Sequence, residues 1–178
     1  MGMGTGPART LLRRPSRKRL FALCLIALAG CDDARDDPRT EAAVRTTAPV
    51  RVIRVTDGDT LHVLRDGRDV TIRLIGIDTP EVAWYGGTAQ CHGARAGRFL
   101  RQRLDDETVR LEFDRDRLDP YGRTLAYAYH RGSMVNVLLV RRGYARVTIF
   151  EPNDRYEDPL RRAEDAARDE GAGLWSTC

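Results

Sequence analysis

Residues 57–81 read DGDTLHVLRDGRDVTIRLIGIDTPE, and the fold of the chain turns on how this stretch is divided. Asp57-Gly58-Asp59 and Asp66-Gly67 are tight-turn signals, and they separate runs rich in β-branched and alternating residues. With Val50 to Val55 ahead of it, the stretch predicts three consecutive strands, Val50 to Val55, Thr60 to Leu64 and Asp69 to Ile77, joined as a meander. Thr79-Pro80 ends the third, because proline has no N–H to donate to a ladder. A meander returns the carboxylates of the first turn to the end of the third strand. The sequence distance from Asp59 to Asp78 is therefore no obstacle to their meeting.

Four acidic side chains stand near these turns (Asp57, Asp59, Asp78, Glu81), and Arg73 sits inside an otherwise apolar run. Neither feature serves packing. Clustered carboxylates are costly unless a cation neutralises them, and an arginine in an apolar strand needs an anionic partner. Asp-Gly and Asp-Thr-Pro taken singly read as turn chemistry. Together with Arg73 and Glu81 they point to a metal-plus-phosphate site. In a regular strand Arg73 shares a face with Ile75 and Ile77 while Asp78 takes the other, so a bend is required between them, and Gly76 allows it. Asp59, Asp78 and the main-chain carbonyl of Thr79 are hard oxygen donors, suited to Ca²⁺ or Mg²⁺ rather than zinc. His62, His92 and His130 lack ligand spacing and are expected as surface or satisfied polar residues.

Beyond Pro80, Val82 to Gly93 is a glycine-containing loop, and a helix is expected from Ala94 to Leu104 with Phe99, Leu100 and Leu104 as its apolar stripe. Strands follow at Thr108 to Phe113 and Thr124 to Tyr129, a helix at Met134 to Val140 closed by Gly143, and a short extended piece at Ala145 to Ile149. A last helix is expected to start near Pro159 with Asp158 as N-cap, burying Leu160, Ala163 and Ala167. Five strands with a helix between the third and fourth is the order of an OB fold, a five-stranded β-barrel with about three helices. The chain shows no internal repeat and no second globular domain. Asp119-Pro120-Tyr121-Gly122-Arg123 reads either as a proline turn with a solvated arginine or as a device that sets Arg123 beside Arg73. Two guanidinium forks match phosphate oxygens bidentately, and Tyr121 is then placed to touch a phosphate or a base.

With 178 residues the chain holds one ordinary domain. Its net charge is +4, yet residues 1–30 carry six bases and no acid, which leaves the remainder at −2. Affinity for a polyanion must come from local clustering. Residues 1–30 read as a targeting segment: bases through Arg19, an apolar run Leu20 to Ala29 about half the ~20 residues that span a bilayer, then small residues. Leu28-Ala29-Gly30-Cys31 resembles the lipobox of bacterial lipoproteins, in which the signal is cut before a cysteine that then carries lipid and anchors the protein on the periplasmic or cell-surface side. An ordinary secretory signal cut nearby, giving a secreted protein, and a short uncleaved anchor are the alternatives. Residues 31–48 are polar and acidic, a disordered tether, and 49–178 form the domain. With Cys24 in the leader and Cys31 lipidated, Cys91 and Cys178 remain. They form either a disulfide, closing a loop of about ninety residues for at most about 4–5 kcal/mol, or two buried thiols.

The residues from Val50 to Trp175 resemble a staphylococcal-nuclease-like (thermonuclease) domain. Asp57-Gly58-Asp59-Thr60, Arg73 to Glu81 and Tyr121-Gly122-Arg123 match its signatures in order, and Ser133 to Gly143 and Gly173 to Ser176 match its later structural segments. The resemblance implies a monomeric Ca²⁺-dependent phosphodiesterase that cuts DNA and RNA in an OB-fold cleft. It also implies that Asp59, Asp78 and the Thr79 carbonyl bind Ca²⁺, with Asp57 supporting them from behind. Glu81 would activate or orient the attacking water, Arg73 and Arg123 would clamp the phosphate, and Tyr121 would contact substrate. The chain departs from the pattern at Val147-Thr148-Ile149-Phe150, where the family often has a tyrosine, and at Pro120 and Arg95, where lysine and an acid can occur. A non-catalytic OB module binding nucleic acid or protein is the alternative, and the filled set of acids and arginines argues against it.

Overall fold

A computed structural model describes residues 46–80 and 93–176. Strands β1 (Val50–Val55), β2 (Thr60–Arg65) and β3 (Arg68–Leu74) form the expected meander. The turn between β2 and β3 is Asp66-Gly67 with both φ angles positive, at 51° and 73°, the two-residue geometry whose twist suits a hairpin. β1 carries a register shift between Val52 and Arg54, a bulge that coils the strand. Strands β5 (Thr108–Glu112) and β6 (Thr124–His130) complete the barrel. Its order is β3-β2-β1-β5-β6, and parallel pairing of β3 with β6, Arg73 opposite Leu125, closes it. The result is the expected five-stranded barrel. Thr46 bridges Glu112 at its edge.

Alternation along the strands fills the barrel. Val52, Leu61, Val63, Ile72, Leu74 and Leu111 are at most 1% exposed. Helix α1 (Gly93–Leu104) contributes Ala96, Leu100 and Leu104, all fully buried. That spacing of four selects Ala96 over Phe99 for the stripe, and Phe99 instead packs against Tyr144 with ring centroids 5.2 Å apart. Helix α2 (Val135–Arg141) ends as expected at Gly143, whose φ is +64°. The Gly143 and Tyr144 amides donate to the Val140 and Leu139 carbonyls at 2.8 and 2.9 Å, a Schellman cap.

Three expectations shift. The third strand stops at Leu74 instead of Ile77, because Gly76 (φ +78°) turns the chain, and Ile77–Asp78 becomes strand β4, pairing with strand β8 (Arg146–Val147). A two-residue strand β7 (Ser133–Met134) precedes α2, so that helix begins at Val135 instead of Met134. The last helix, α3 (Glu157–Asp169), is capped by Tyr156 without a side-chain bond, and Asp158 lies inside its first turn, not at the cap. There its charge complements the helix dipole. α3 buries Leu160, Ala163 and Ala167 as expected, and Glu164 as well.

Asn136 ties these parts together. Fully buried on α2, it donates to the Ile75 carbonyl at 2.8 Å and accepts from the Ala128 amide at 3.0 Å. It thereby fixes the chain just before the Gly76 bend. Asn136→Ala leaves a buried carbonyl and a buried amide without partners, at about 1–3 kcal/mol each. Chemical denaturation is expected to show a loss of about 2–4 kcal/mol with an unchanged m-value.

Candidate active site

The first turn is held by its own acids. The Asp59 amide donates to Asp57 Oδ1 at 3.1 Å, and the Asp57 and Thr56 amides both donate to the Thr60 carbonyl. Gly58 has no room for a side chain, since a Cβ there would lie 2.5 Å from the Ala96 Cβ. α1 is therefore seated directly against the turn. Burial pushes the Asp57 carboxyl above its ordinary value, against the opposing pull of its hydrogen bonds with Thr60 and of the charges on Arg73 and Arg123. Asp57 therefore senses both arginines, although they lie fifty residues apart in the sequence.

Asp59 is 3% exposed and is surrounded by donors. Its Oδ2 accepts from the Thr79 amide and hydroxyl, both at 2.9 Å, and its Oδ1 from the Thr60 hydroxyl at 3.1 Å. Arg73 completes the set: one terminal nitrogen pairs with Asp59 Oδ1, and the other donates to Asp78 Oδ1 at 2.9 Å and to the Ile77 carbonyl at 3.2 Å. One guanidinium thus spans two carboxylates that arise from different turns. The Gly76 bend makes this possible, as expected. A Cβ at Gly76 would lie 2.5 Å from a Leu160 methyl, so α3 packs into the space the glycine leaves.

Arg123 is presented differently. Asp119 accepts from the Arg123 Nε at 2.6 Å, from the Arg123 amide at 2.9 Å and from the Tyr121 amide at 3.0 Å. Burial pushes the Asp119 carboxyl up, but these bonds outweigh it and hold it below the ordinary value. Held by Nε, the guanidinium has no partner for its two terminal nitrogens among the described residues, and it lies 5.5 Å from the ring centroid of Tyr121, which is 84% exposed. Asp119 is a residue the sequence reading missed. Its four-residue spacing from Arg123 around a Pro-Tyr-Gly turn was the available signal. Glu164 is another: buried on α3, it accepts from the Val147 amide at 2.9 Å and so holds β8 against β4.

The structure brings together Asp57, Asp59, Arg73, Asp78 and Thr79, with Arg123 and Tyr121 in the turn that leads into β6, the strand that pairs with β3. Glu81, the expected disulfide between Cys91 and Cys178, and Cys31 as the expected lipidation site lie outside the described residues.

The Asp57 environment gives a pH prediction. An aspartate raised in the folded state keeps its proton longer than the unfolded chain does, so its contribution to stability is greatest at low pH and falls as pH rises from the ordinary value of 3.8 through the folded value. Asp57→Asn retains an acceptor for the Asp59 amide and removes the buried charge. Thermal unfolding between pH 4 and 7 is expected to show a variant at least as stable as the parent, with that fall removed. A drop in Tm at pH 7 that vanishes at pH 4 would contradict it.

An arginine that bridges two acids beside a second, outward-facing arginine is a geometry for anionic substrates, and comparison with known proteins agrees. Residues 71–177 match the family described as Staphylococcal nuclease homologue. The thermonuclease of Staphylococcus intermedius is 41% identical over 124 residues, covering 70% of this chain and 74% of that protein. The thermonuclease of Staphylococcus hyicus is 39% identical over 126 residues, 71% of this chain and 75% of that protein. Endonuclease YncB of Bacillus subtilis is 37% identical over 129 residues, 71% and 61%. Barrel, bend and paired arginines have a common explanation in descent: the chain belongs to the staphylococcal nuclease family.

Proposed function

We propose that the chain is a Ca²⁺-dependent nuclease that hydrolyses phosphodiester bonds of DNA and RNA, held outside the cytoplasm by a lipid on Cys31. The names of its relatives, thermonuclease and endonuclease, support nucleic-acid hydrolysis. The observation that carries the site is the Arg73 guanidinium bridging Asp59 and Asp78. A guanidinium already spans the two carboxylates, one terminal nitrogen to each, so the two acids lie close enough to share one cationic partner. Among the described residues no three His, Cys, Asp or Glu side chains gather for a metal. The set on offer is two carboxylates with the Thr79 carbonyl, which fits a hard dication and not zinc.

Asp59, Asp78 and Thr79 would hold Ca²⁺. When bound, it offsets their charge and that of the phosphodiester and polarises the phosphorus–oxygen bonds. The Arg73 fork and the terminal nitrogens of Arg123 would each take non-bridging phosphate oxygens. Their hydrogen bonds strengthen as charge builds on those oxygens during displacement. Glu81, ionised at neutral pH, accepts the proton of the attacking water. The water oxygen bonds to phosphorus, the bond to the leaving oxygen breaks, and that oxygen takes a proton from solvent. Tyr121 offers a ring face to a base.

The reading is tested with single-stranded DNA and RNA incubated with the full chain and Ca²⁺, with products resolved by length. Progressive shortening of both strands is expected; binding without cleavage would replace the nuclease with a nucleic-acid-binding module. Lipid at Cys31 is tested separately by mass spectrometry of the mature protein. An unmodified N-terminus elsewhere would overturn the anchor and leave the nuclease standing.

A further inference from the structure

His130, expected to be satisfied, is only half so. It ends β6, and its side chain is 5% exposed. Its Nε2 faces Glu107 Oε2 at 3.3 Å, and its Nδ1 has no partner. Across from it, in the last turn of α1, Arg103 has a buried Nε that is also without a partner among the described residues, and its guanidinium faces no carboxylate among them; it stands 6.0 Å from the Phe99 ring centroid. Three buried side-chain nitrogens lack partners among the described residues, and two of them belong to one cavity. That cavity, of about 350 Å³, is lined by Phe99, Gln102, Arg103, Glu107, His130 and Arg131.

Its charge balance is positive. Glu107 is the one acid in the lining, and it is shared between His130 and Arg131, the latter at 3.0 Å. Among the described residues no acid pairs with Arg103, and Arg142 lies 5.9 Å from the Phe99 ring centroid. Asp105 and Asp106 follow α1 but do not line the cavity, and Asp106 faces Arg51 at 3.7 Å. Two arginines, Arg103 and Arg131, and the amide of Gln102 around one cavity are a donor set for a tetrahedral oxyanion.

We propose that this cavity is a phosphoryl-binding pocket separate from the candidate active site. Arg123 precedes the first residue of β6 and His130 is its last, so the two sites lie roughly 20 Å apart at ~3.3 Å per strand residue. Inorganic phosphate and the phosphates of a nucleic-acid strand share the chemistry that the pocket recognises. Only the second source rests on the nuclease reading. A strand held at both places would be anchored away from the bond being cut.

The test is an NMR titration of the ¹⁵N-labelled full chain with inorganic phosphate at constant ionic strength, following the Arg103 Nε–H and His130 ring signals. Saturable shifts of both are expected. Arg103→Gln should abolish the His130 response, and Arg131→Gln, at an exposed position that folding tolerates, should weaken affinity severalfold. Shifts that are absent, that rise linearly as chloride produces them, or that survive unchanged in Arg131→Gln would overturn the pocket. A nuclease-resistant phosphorothioate strand forms the second arm. A response at the same signals assigns the pocket to strand phosphates, and a response to inorganic phosphate alone assigns it to the free ion. Either result stands even if no cleavage is found.

Discussion

Arg73→Ala is expected to lower kcat on single-stranded DNA by about 10³-fold, the scale on which removal of one charged donor to a developing oxyanion acts. KM should move far less, because the bonds that Arg73 makes to phosphate strengthen mainly in the transition state. Arg73→Lys should recover little: a lysine is a point charge and cannot present two parallel donors, whereas Arg73 addresses Asp59 and Asp78 with different nitrogens. The variant also changes the protein without substrate. Asp59 keeps the Thr60 hydroxyl and both Thr79 donors, so the fold should survive, with a loss of about 1–2 kcal/mol that added Ca²⁺ reverses. A kcat within threefold of the parent would remove Arg73 from the chemistry.

Glu81→Gln should reduce kcat by about 10²–10⁴-fold, the range for general-base catalysis. Glu81 follows Thr79-Pro80 in the sequence, and it is the acid that the family resemblance assigns to activating or orienting the attacking water. Glutamine keeps the shape but cannot accept the proton. Calorimetry should find Ca²⁺ affinity nearly unchanged, and the acid limb of the pH–rate profile should disappear. An unaltered limb with full activity would assign the base elsewhere.

Much of the barrel is legible in residues 50–78. Asp66-Gly67 specifies its turn because both residues must take positive φ, which few pairs tolerate. Gly76 announces its bend through a conflict of faces, since Arg73 and Asp78 cannot meet along a regular strand. The parts that escape the sequence are those whose meaning lies in a distant partner. Ile77–Asp78 reads as the end of one strand because nothing local reveals Arg146–Val147 across from it. Asn136 is a single polar residue in an apolar helix until Ile75 and Ala128 supply its two bonds. Asp158-Pro159 has the local form of a helix start, yet the helix begins two residues earlier at Glu157, where Tyr156 reaches Glu112 with its hydroxyl at 2.9 Å and tertiary contact overrides the cap. Of the site, Asp59, Asp78, Arg73 and Arg123 are legible because charge without a packing purpose stands out. Asp119 and Glu164 are not, for they act on other residues and look like surface acids.

The proposed nuclease requires a cation seated at the two carboxylates that Arg73 bridges in the free protein. This requirement is tested by measuring hydrolysis of single-stranded DNA by the full chain with Ca²⁺, with excess EDTA, and with Ca²⁺ restored. A fall of at least about 10³-fold is expected in EDTA, since a bound dication contributes several kcal/mol of transition-state stabilisation, with complete recovery on restoration. An equal rate in EDTA would contradict it.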